Sequence, residues 1–322
     1  MSDSSGFDPF RPESYGDVTN EYVALRSSAA LVEGRLELVW VTGPDAVSFL
    51  QGILSQDVAA LAVGDVTRTL LLQPNGKLDA VATVVRDESG LGLLVEAGLG
   101  EGLATSLRRY LIRVQADLAL ETAVVSEVWG PDAGRQLTRA GIVEEPPTGW
   151  APPVLAHPLH GLPRYVVVGD IEWPTDLVRA GRIATEAVRI EGGEPRNGVD
   201  LGASTIPQEA GLIDTTVSFT KGCYLGQELV ARIDSRGHVN RHLRGVRCAS
   251  NVIPPVGAEV FAGEKSVGAL SSVAESLTFR APVALALLRR EVSPGDTVEM
   301  RWAEGSAIAT VVELPFDDFT DL

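Results

Sequence analysis

An α+β fold followed by a small all-β domain is what this sequence predicts, and three observations predict it. Up to about residue 245, β-patterned and helix-patterned runs follow one another in the mixed order strand, helix, strand, strand, helix, which suits antiparallel sheets carrying helices. Asn75-Gly76 lies between two apolar runs, the strongest short-range hairpin signal. Beyond residue 245, short alternating segments sit between Gly, Pro and Asn turns, the pattern of a small antiparallel barrel or sandwich.

The elements are expected as follows. Residues 1–20, rich in Ser, Pro, Gly and Asp, read as a flexible leader. Residues 35–42 read as a strand, punctuated by Gly43-Pro44-Asp45. Asp45 is placed to cap the helix AVSFLQGIL, whose buried face carries Phe49, Leu50 and Leu54. TRTLLLQ and KLDAVATVV form the hairpin arms around Pro74-Asn75-Gly76, because Asn and Gly both tolerate positive φ. LGLLVEAG is another strand, and 101–113 an amphipathic helix. The Pro-rich stretch 143–164 reads as a long surface loop, YVVVGD as a strand and 175–187 as a helix. AEVFAG, VGALSSV, VALALLR, DTVEMRW and AIATVVEL supply the C-terminal strands. The predicted organisation is thus a leader over 1–20, a main region over 21–243 and a C-terminal domain over 244–322.

Composition narrows the function. The chain has 322 residues, 45% hydrophobic and 22% charged, enough for about two or three domains at roughly 100–200 residues each. Lys+Arg 27 against Asp+Glu 43 leaves a net charge of −16, which repels phosphate backbones and argues against direct nucleic-acid binding. Two cysteines support neither a disulfide framework nor a four-cysteine metal site. The N-terminus lacks the basic start and apolar run of a secretory signal. No stretch approaches the ~20 apolar residues of a membrane span, so the cytoplasm is the expected compartment. GxxxxGK[ST], a nucleotide-binding GxGxxG and GxSxG are all missing, which leaves nucleotide-driven chemistry and acyl hydrolysis without support.

Chemistry concentrates in residues 205–247. Within Lys221-Gly222-Cys223-Tyr224-Leu225-Gly226-Gln227-Glu228, Cys223 sits in a glycine-bracketed loop just before the helical run QELVARI. A helix N-terminus and the Lys221 ammonium favour thiolate there; the competing reading is a buried small hydrophobe, the commonest fate of a free Cys. Lys221, Arg232, Arg236, Arg241, Arg244 and Arg247 against Glu228 and Asp234 give six minus two, a local +4. That is either a solvated face or an anion receptor built from Arg forks. His238 and His242 have Hx3H spacing, but Gly237 and the Arg flanks oppose a cation, and no metal is expected. Cys248, in an apolar context, reads as structural, and His157 and His160 support no constellation.

The octapeptide Lys221–Glu228, with Pro207-Gln208-Glu209 before it and Arg232, Arg236-Gly237 and Arg241 after it, resembles the signature of the YgfZ family, folate-binding relatives of the glycine-cleavage T-protein (aminomethyltransferase). Residues 43–61 resemble that family's first helix. Residues 184–201, with Arg189, Glu191, Gly193, Pro195 and Arg196, resemble its LRIEAGxPxxGxD segment. The likeness extends over about residues 20–315. It implies two intertwined ferredoxin-like α+β subdomains around a central folate-sized hole, plus a small C-terminal antiparallel β-barrel. It implies tetrahydrofolate, or a reduced one-carbon folate, as ligand. Glu209 would hold the pterin, a task that suits a carboxylate accepting from adjacent N–H groups. Arg241, Lys221, Tyr224, Gln227 and Arg232 would line the ligand, and Cys223 would be the functional thiol.

The implied role is accessory, in iron–sulfur cluster assembly or repair, with indirect effects on tRNA modification. Assembly proteins or client enzymes are the implied partners, and the protein is expected to be a monomer. The alternative is a folate-dependent aminomethyltransferase or one-carbon transferase. T-proteins carry paired acids in G-G-x-x-D-D. Counted from Gly76 without a gap, those positions are Ala80 and Val81, and Asp79 comes one residue early. A one-residue shift on a strand turns a side chain over, so Asp79 can serve only if a bulge restores the register. Enzymatic activity is therefore not the leading expectation.

Overall fold

The structure is a computed structural model that describes residues 11–142, 154–316 and 319. In chain order, α1 (Val18–Ser27) leads into β1 (Ala30–Thr42) and α2 (Ala46–Ile53). The hairpin β2 (Val66–Leu72) and β3 (Leu78–Arg86) follows, then β4 (Gly90–Glu96) and α3 (Gly100–Arg108). Next come β5 (Asp117–Trp129), α4 (Ala133–Arg139), β6 (Val154–Ala156), β7 (Arg164–Val168), β8 (Val178–Arg179) and α5 (Arg182–Glu191). A 3₁₀ turn (Pro207–Ala210), α6 (Ile213–Thr216) and α7 (Gln227–Arg236) precede the C-terminal strands. These are β9 (Arg241–Cys248), β10 (Glu259–Ala262), β11 (Lys265–Ser276), β12 (Ala281–Arg289), β13 (Thr297–Trp302) and β14 (Gly305–Val312).

The chain divides into two compact units. Among the described residues, the first comprises 35–123 and 197–240; the second comprises 11–34, 124–142, 154–196, 241–316 and 319. The first is built on the hairpin. Leu71, Ala80, Ala82 and Val84 pack with Phe49 and Leu50 of α2 and with Leu103 and Leu107 of α3. Leu70, Leu72 and Leu78 are buried on the other side, against Leu201, Ala210, Leu212, Val217, Tyr224 and Val230. Both faces are covered, which is why Leu70-Leu71-Leu72 reads as a continuous apolar run instead of an alternating one. The 197–240 segment thereby supplies the second wall of this core.

The second unit contains α1, α5 and the barrel. Tyr22, Leu25, Ala184, Ala187 and Val188 join the two helices. The C-terminal strands close in the order β10-β11-β12-β9-β14-β13, and β10 pairs with both β11 and β13. A closed barrel thus replaces the sandwich alternative. Val246, Cys248, Ala284, Ala286 and Leu288 face its interior, while Leu243, Val283 and Leu285 pack outside it on Ile190 and Phe316, as strand alternation requires.

Several expectations are corrected. Of the leader, residues 1–10 lie outside the described residues, but 11–17 are tied down. The Arg11 guanidinium donates to the Glu33 carbonyl and to Glu127, and the Pro12 carbonyl accepts from Arg182 N. Asp45 occupies the N-cap position of α2, yet its carboxylate accepts from Gln115 N (2.8 Å) and not from its own helix. The helix expected over 101–113 stops at Arg108, and the 175–187 helix is displaced to 182–191 because Val178 and Arg179 pair with Ala30 and Leu31. Of the loop expected over 143–164, residues 143–153 lie outside the described residues, and 154–156 form β6 against β7. Among the described residues, no helix is long and apolar enough to cross a membrane.

Candidate functional site

The site grows from two turns packed backbone to backbone. In the hairpin, Gly76 N donates to the Gln73 carbonyl and Gln73 N to the Lys77 carbonyl, both at 2.8 Å. Only Gly76 has positive φ (+76°). The loop is therefore the three-residue kind, a type I turn closed by a left-handed glycine, and not a two-residue Asn-Gly turn. Pro74 decides this, since its fixed φ suits the first corner of a type I turn. Gly226, at φ +77°, lies directly against it: a Cβ there would meet Gln73 O at 2.5 Å and Gly76 Cα at 3.1 Å. A Cβ on Gly76 would meet Leu229 Cβ at 2.5 Å. The hairpin and the octapeptide thus approach as closely as two glycines permit.

Lys221 anchors the other end of the octapeptide. Its Nζ donates to the carbonyls of Gln51 (2.7 Å), Leu54 (2.6 Å) and Gln56 (2.9 Å). These lie at the C-terminal end of α2 and just past it, where helix carbonyls lack intrahelical donors and the dipole favours a cation. All three ammonium hydrogens are committed. Burial pulls the Lys221 pKa down to about 8, opposed by the nearby Asp57 carboxylate. These contacts make Lys221 a support of the loop.

Tyr224 likewise turns inward. Its ring joins the apolar wall behind the hairpin, and burial pushes its phenol up to about 12. Gln227 Oε1 accepts from Tyr224 N (3.2 Å), so this side chain closes the loop onto the start of α7. Between these supports, Gly222 and Cys223 are exposed, and a Cβ added at Gly222 would meet nothing within 4 Å. The buried-hydrophobe reading fails for Cys223. It holds for Cys248, which lies inside the barrel with its thiol pushed up to about 11 by burial.

Asp79 is the extra residue of a β-bulge. Leu71 is opposite Ala80 and Leu72 is opposite Leu78, leaving Asp79 unmatched. Leu78 and Val81 both pack toward the Tyr224 wall while Ala80 joins the core with α2 and α3, so the strand's alternation breaks at Asp79. It is half-buried, with no hydrogen bond or ion pair among the described residues. The backbone just before the bulge is held to the segment that carries Glu209: Leu78 N donates to Thr205 O (2.9 Å), and Gln73 Nε2 to both Leu78 O and Ala203 O. Glu209, in the 3₁₀ turn, is 4% exposed, and its Oε2 accepts from Ile206 N (3.2 Å). Beside it, Gln208 Nε2 donates to Val230 O of α7.

The first unit therefore gathers Asp79, Glu209, Lys221, Cys223, Tyr224, Gln227 and Arg232, the last exposed on α7. Arg241 is instead the first residue of β9 in the second unit, half-buried and opposite Arg289. His238 is exposed and His242 belongs to β9. Sequence reading missed the α2 carbonyls as receptors for Lys221. A signal was available: Lys occurs only at 77, 221 and 265 in an otherwise Arg-based chain, and a compact ammonium, unlike a planar guanidinium, can serve three converging carbonyls.

Comparison with known proteins agrees with this architecture. Residues 5–144 match the GCVT N-terminal domain and residues 241–318 the glycine cleavage T-protein C-terminal barrel domain. The tRNA-modifying protein YgfZ of Edwardsiella ictaluri is 31% identical over 231 residues, covering 66% of this chain and 69% of that protein. The aminomethyltransferase of Bacillus subtilis is 25% identical over 337 residues, covering 95% and 92%. The crystal structure of the glycine cleavage system aminomethyltransferase T from Bartonella henselae superposes with a TM-score of 0.81 at 21% identity, covering 95% of this chain and 91% of that one; at that identity the likeness concerns the fold.

Proposed function

This chain belongs to the YgfZ family of T-protein relatives, and we propose that within it the protein works as a folate-binding accessory factor for iron–sulfur cluster assembly or repair, affecting tRNA modification indirectly. The observation that carries this reading is the exposed Cys223, raised on a loop whose two ends are fixed by Lys221 and by Gly226. A thiol so presented meets partners, not the protein's own core. One cysteine cannot hold a cluster by itself, since clusters are held by sets of thiolates. The thiol therefore acts jointly with a client enzyme or an assembly protein. A reducing cytoplasm, where such a thiol persists, is the matching compartment, and the protein acts there as a monomer.

The residues present fit a reduced folate in chemistry. Glu209 offers a buried carboxylate to the N–H donors of a pterin, and Arg232 offers an exposed guanidinium to an anionic glutamate tail. In cells, Cys223→Ala is expected to lower the activity of cluster-dependent enzymes to the level of a deletion strain while leaving folate binding intact. Unchanged enzyme activity removes the thiol from the function.

Asp79 favours a second reading, a folate-dependent one-carbon transferase. Its half-buried carboxylate on the bulge supplies the kind of acid that proton transfer at a folate nitrogen needs. Under this reading the purified protein turns over an aminomethyl donor with tetrahydrofolate, and Asp79→Asn lowers the rate by about 10²–10⁴-fold. Absence of turnover in the wild type leaves the accessory role.

A further inference from the structure

We infer that Lys221 is the positioning residue of the Cys223 loop, its ammonium seated on three carbonyls at the end of α2 and fixing where the sulfur is presented. The inference rests on reading Cys223 as the working thiol. Three facts support it. The three contacts, at 2.6–2.9 Å, use every hydrogen the ammonium has, and such charge-assisted bonds are the strong ones. The three acceptors come from one rigid place, the C-terminal end of α2, whose Leu50, Ile53 and Leu54 lie in the main core of this unit. The stretch that follows Lys221 has little else to hold it. Gly222 and Cys223 are exposed, and the next fixed point is Tyr224, whose ring is buried and whose N–H is taken by Gln227.

The sulfur thus stands on an arch one glycine and one cysteine long. Its near support is the Lys221 ammonium, which also lies 5.4 Å from the centre of the Tyr224 ring, so the two supports touch. Removing the ammonium detaches the near support and leaves the far one. Ordering a loop in advance lowers the entropy lost when a partner engages it, so the consequence for function is weaker partner capture, not loss of the thiol.

The test uses the full chain. A spin label attached to Cys223 reports loop mobility, and Cys248, buried in the barrel, stays unlabelled in the native protein. Wild type is expected to take up one label, because its exposed thiol reacts and its buried one does not. To compare variants, the native Cys223 thiol is alkylated by a neutral reagent at pH 7. Lys221→Met keeps the aliphatic stem but not the charge, and is expected to change the alkylation rate at least 5-fold and to mobilise the label. Lys221→Arg, whose planar guanidinium keeps the charge but cannot serve all three converging carbonyls, is expected to fall between wild type and Lys221→Met. If Met behaves as wild type in both measurements, the stem is only packing and the inference falls. If Lys221→Met does not fold, the spin label on Cys223 of the wild type decides: restricted motion supports the inference, and a freely mobile spectrum overturns it. These readouts are independent of the cluster-enzyme assay on Cys223→Ala, so failure of one reading is distinguishable from failure of the other.

Discussion

Gly226→Ala should destabilise the first unit by about 3 kcal/mol, while Gly222→Ala, four residues earlier in the same octapeptide, should cost less than about 0.5 kcal/mol. Two penalties add at Gly226. Its φ of +77° is left-handed, which charges a side chain roughly 1–2 kcal/mol. The new Cβ would also lie 2.5 Å from the Gln73 carbonyl oxygen and 3.0 Å from Leu72 Cβ. Overpacking of this kind costs typically ~1–3 kcal/mol, and a hairpin backbone has little room to yield. Gly222 has neither problem, for its Cβ would point into open space. Urea unfolding of a variant that keeps Trp40, on β1 of this unit, and replaces the other tryptophans by Phe reads the difference as a fall in the fluorescence midpoint at constant slope. Equal midpoints for the two variants would mean that the hairpin turn and the octapeptide do not meet. The pair of glycines looks equivalent in the sequence, where both bracket the cysteine, but only one of them is required by the fold.

That contrast marks what the sequence could disclose. The hairpin, the Gln227–Arg236 helix and the C-terminal strands were legible because their signals are local: alternation, an apolar stripe, a turn dipeptide. Barrel closure depends on β10 meeting β13 some forty residues away, and alternation alone cannot separate a barrel from a sandwich. The turn type depended on Pro74, which outweighed the Asn-Gly pair beside it. At the site, motif resemblance pointed to Cys223 and Glu209, but the contacts of their neighbours were not legible. Lys221 looked like a free cation because the carbonyls that bind it lie some 165–170 positions away in the chain. Tyr224 looked like a ligand contact because nothing local shows that its ring fills a wall behind Leu72 and Leu78. Asp79 looked out of register because a bulge is a property of two strands, and only the partner strand shows that one residue is extra. Each miss concerns an interaction between segments distant in sequence.

Glu209 carries the other large expected effect. In a calorimetric titration with tetrahydrofolate, Glu209→Ala should weaken binding about 100-fold and Glu209→Gln about 10-fold. A carboxylate accepting two donors of a pterin makes two charge-assisted bonds, each worth roughly 1.5–3 kcal/mol. Losing both at the lower figure is about 3 kcal/mol, or about 100-fold at 1.4 kcal/mol per decade. Gln keeps one accepting oxygen but offers its NH₂ where the second acceptor is needed, so it retains one bond of the two. The two variants also separate binding from folding. The carboxylate accepts from Ile206 N at the head of the 3₁₀ turn; Gln can still do so, whereas Ala gives up that cap at a cost of about 1 kcal/mol in stability. If Ala weakens folate while Gln binds as the wild type does, the effect travels through the turn and not through the ligand. If both bind as the wild type does, or if the wild type shows no saturable binding, Glu209 has no part in holding a pterin.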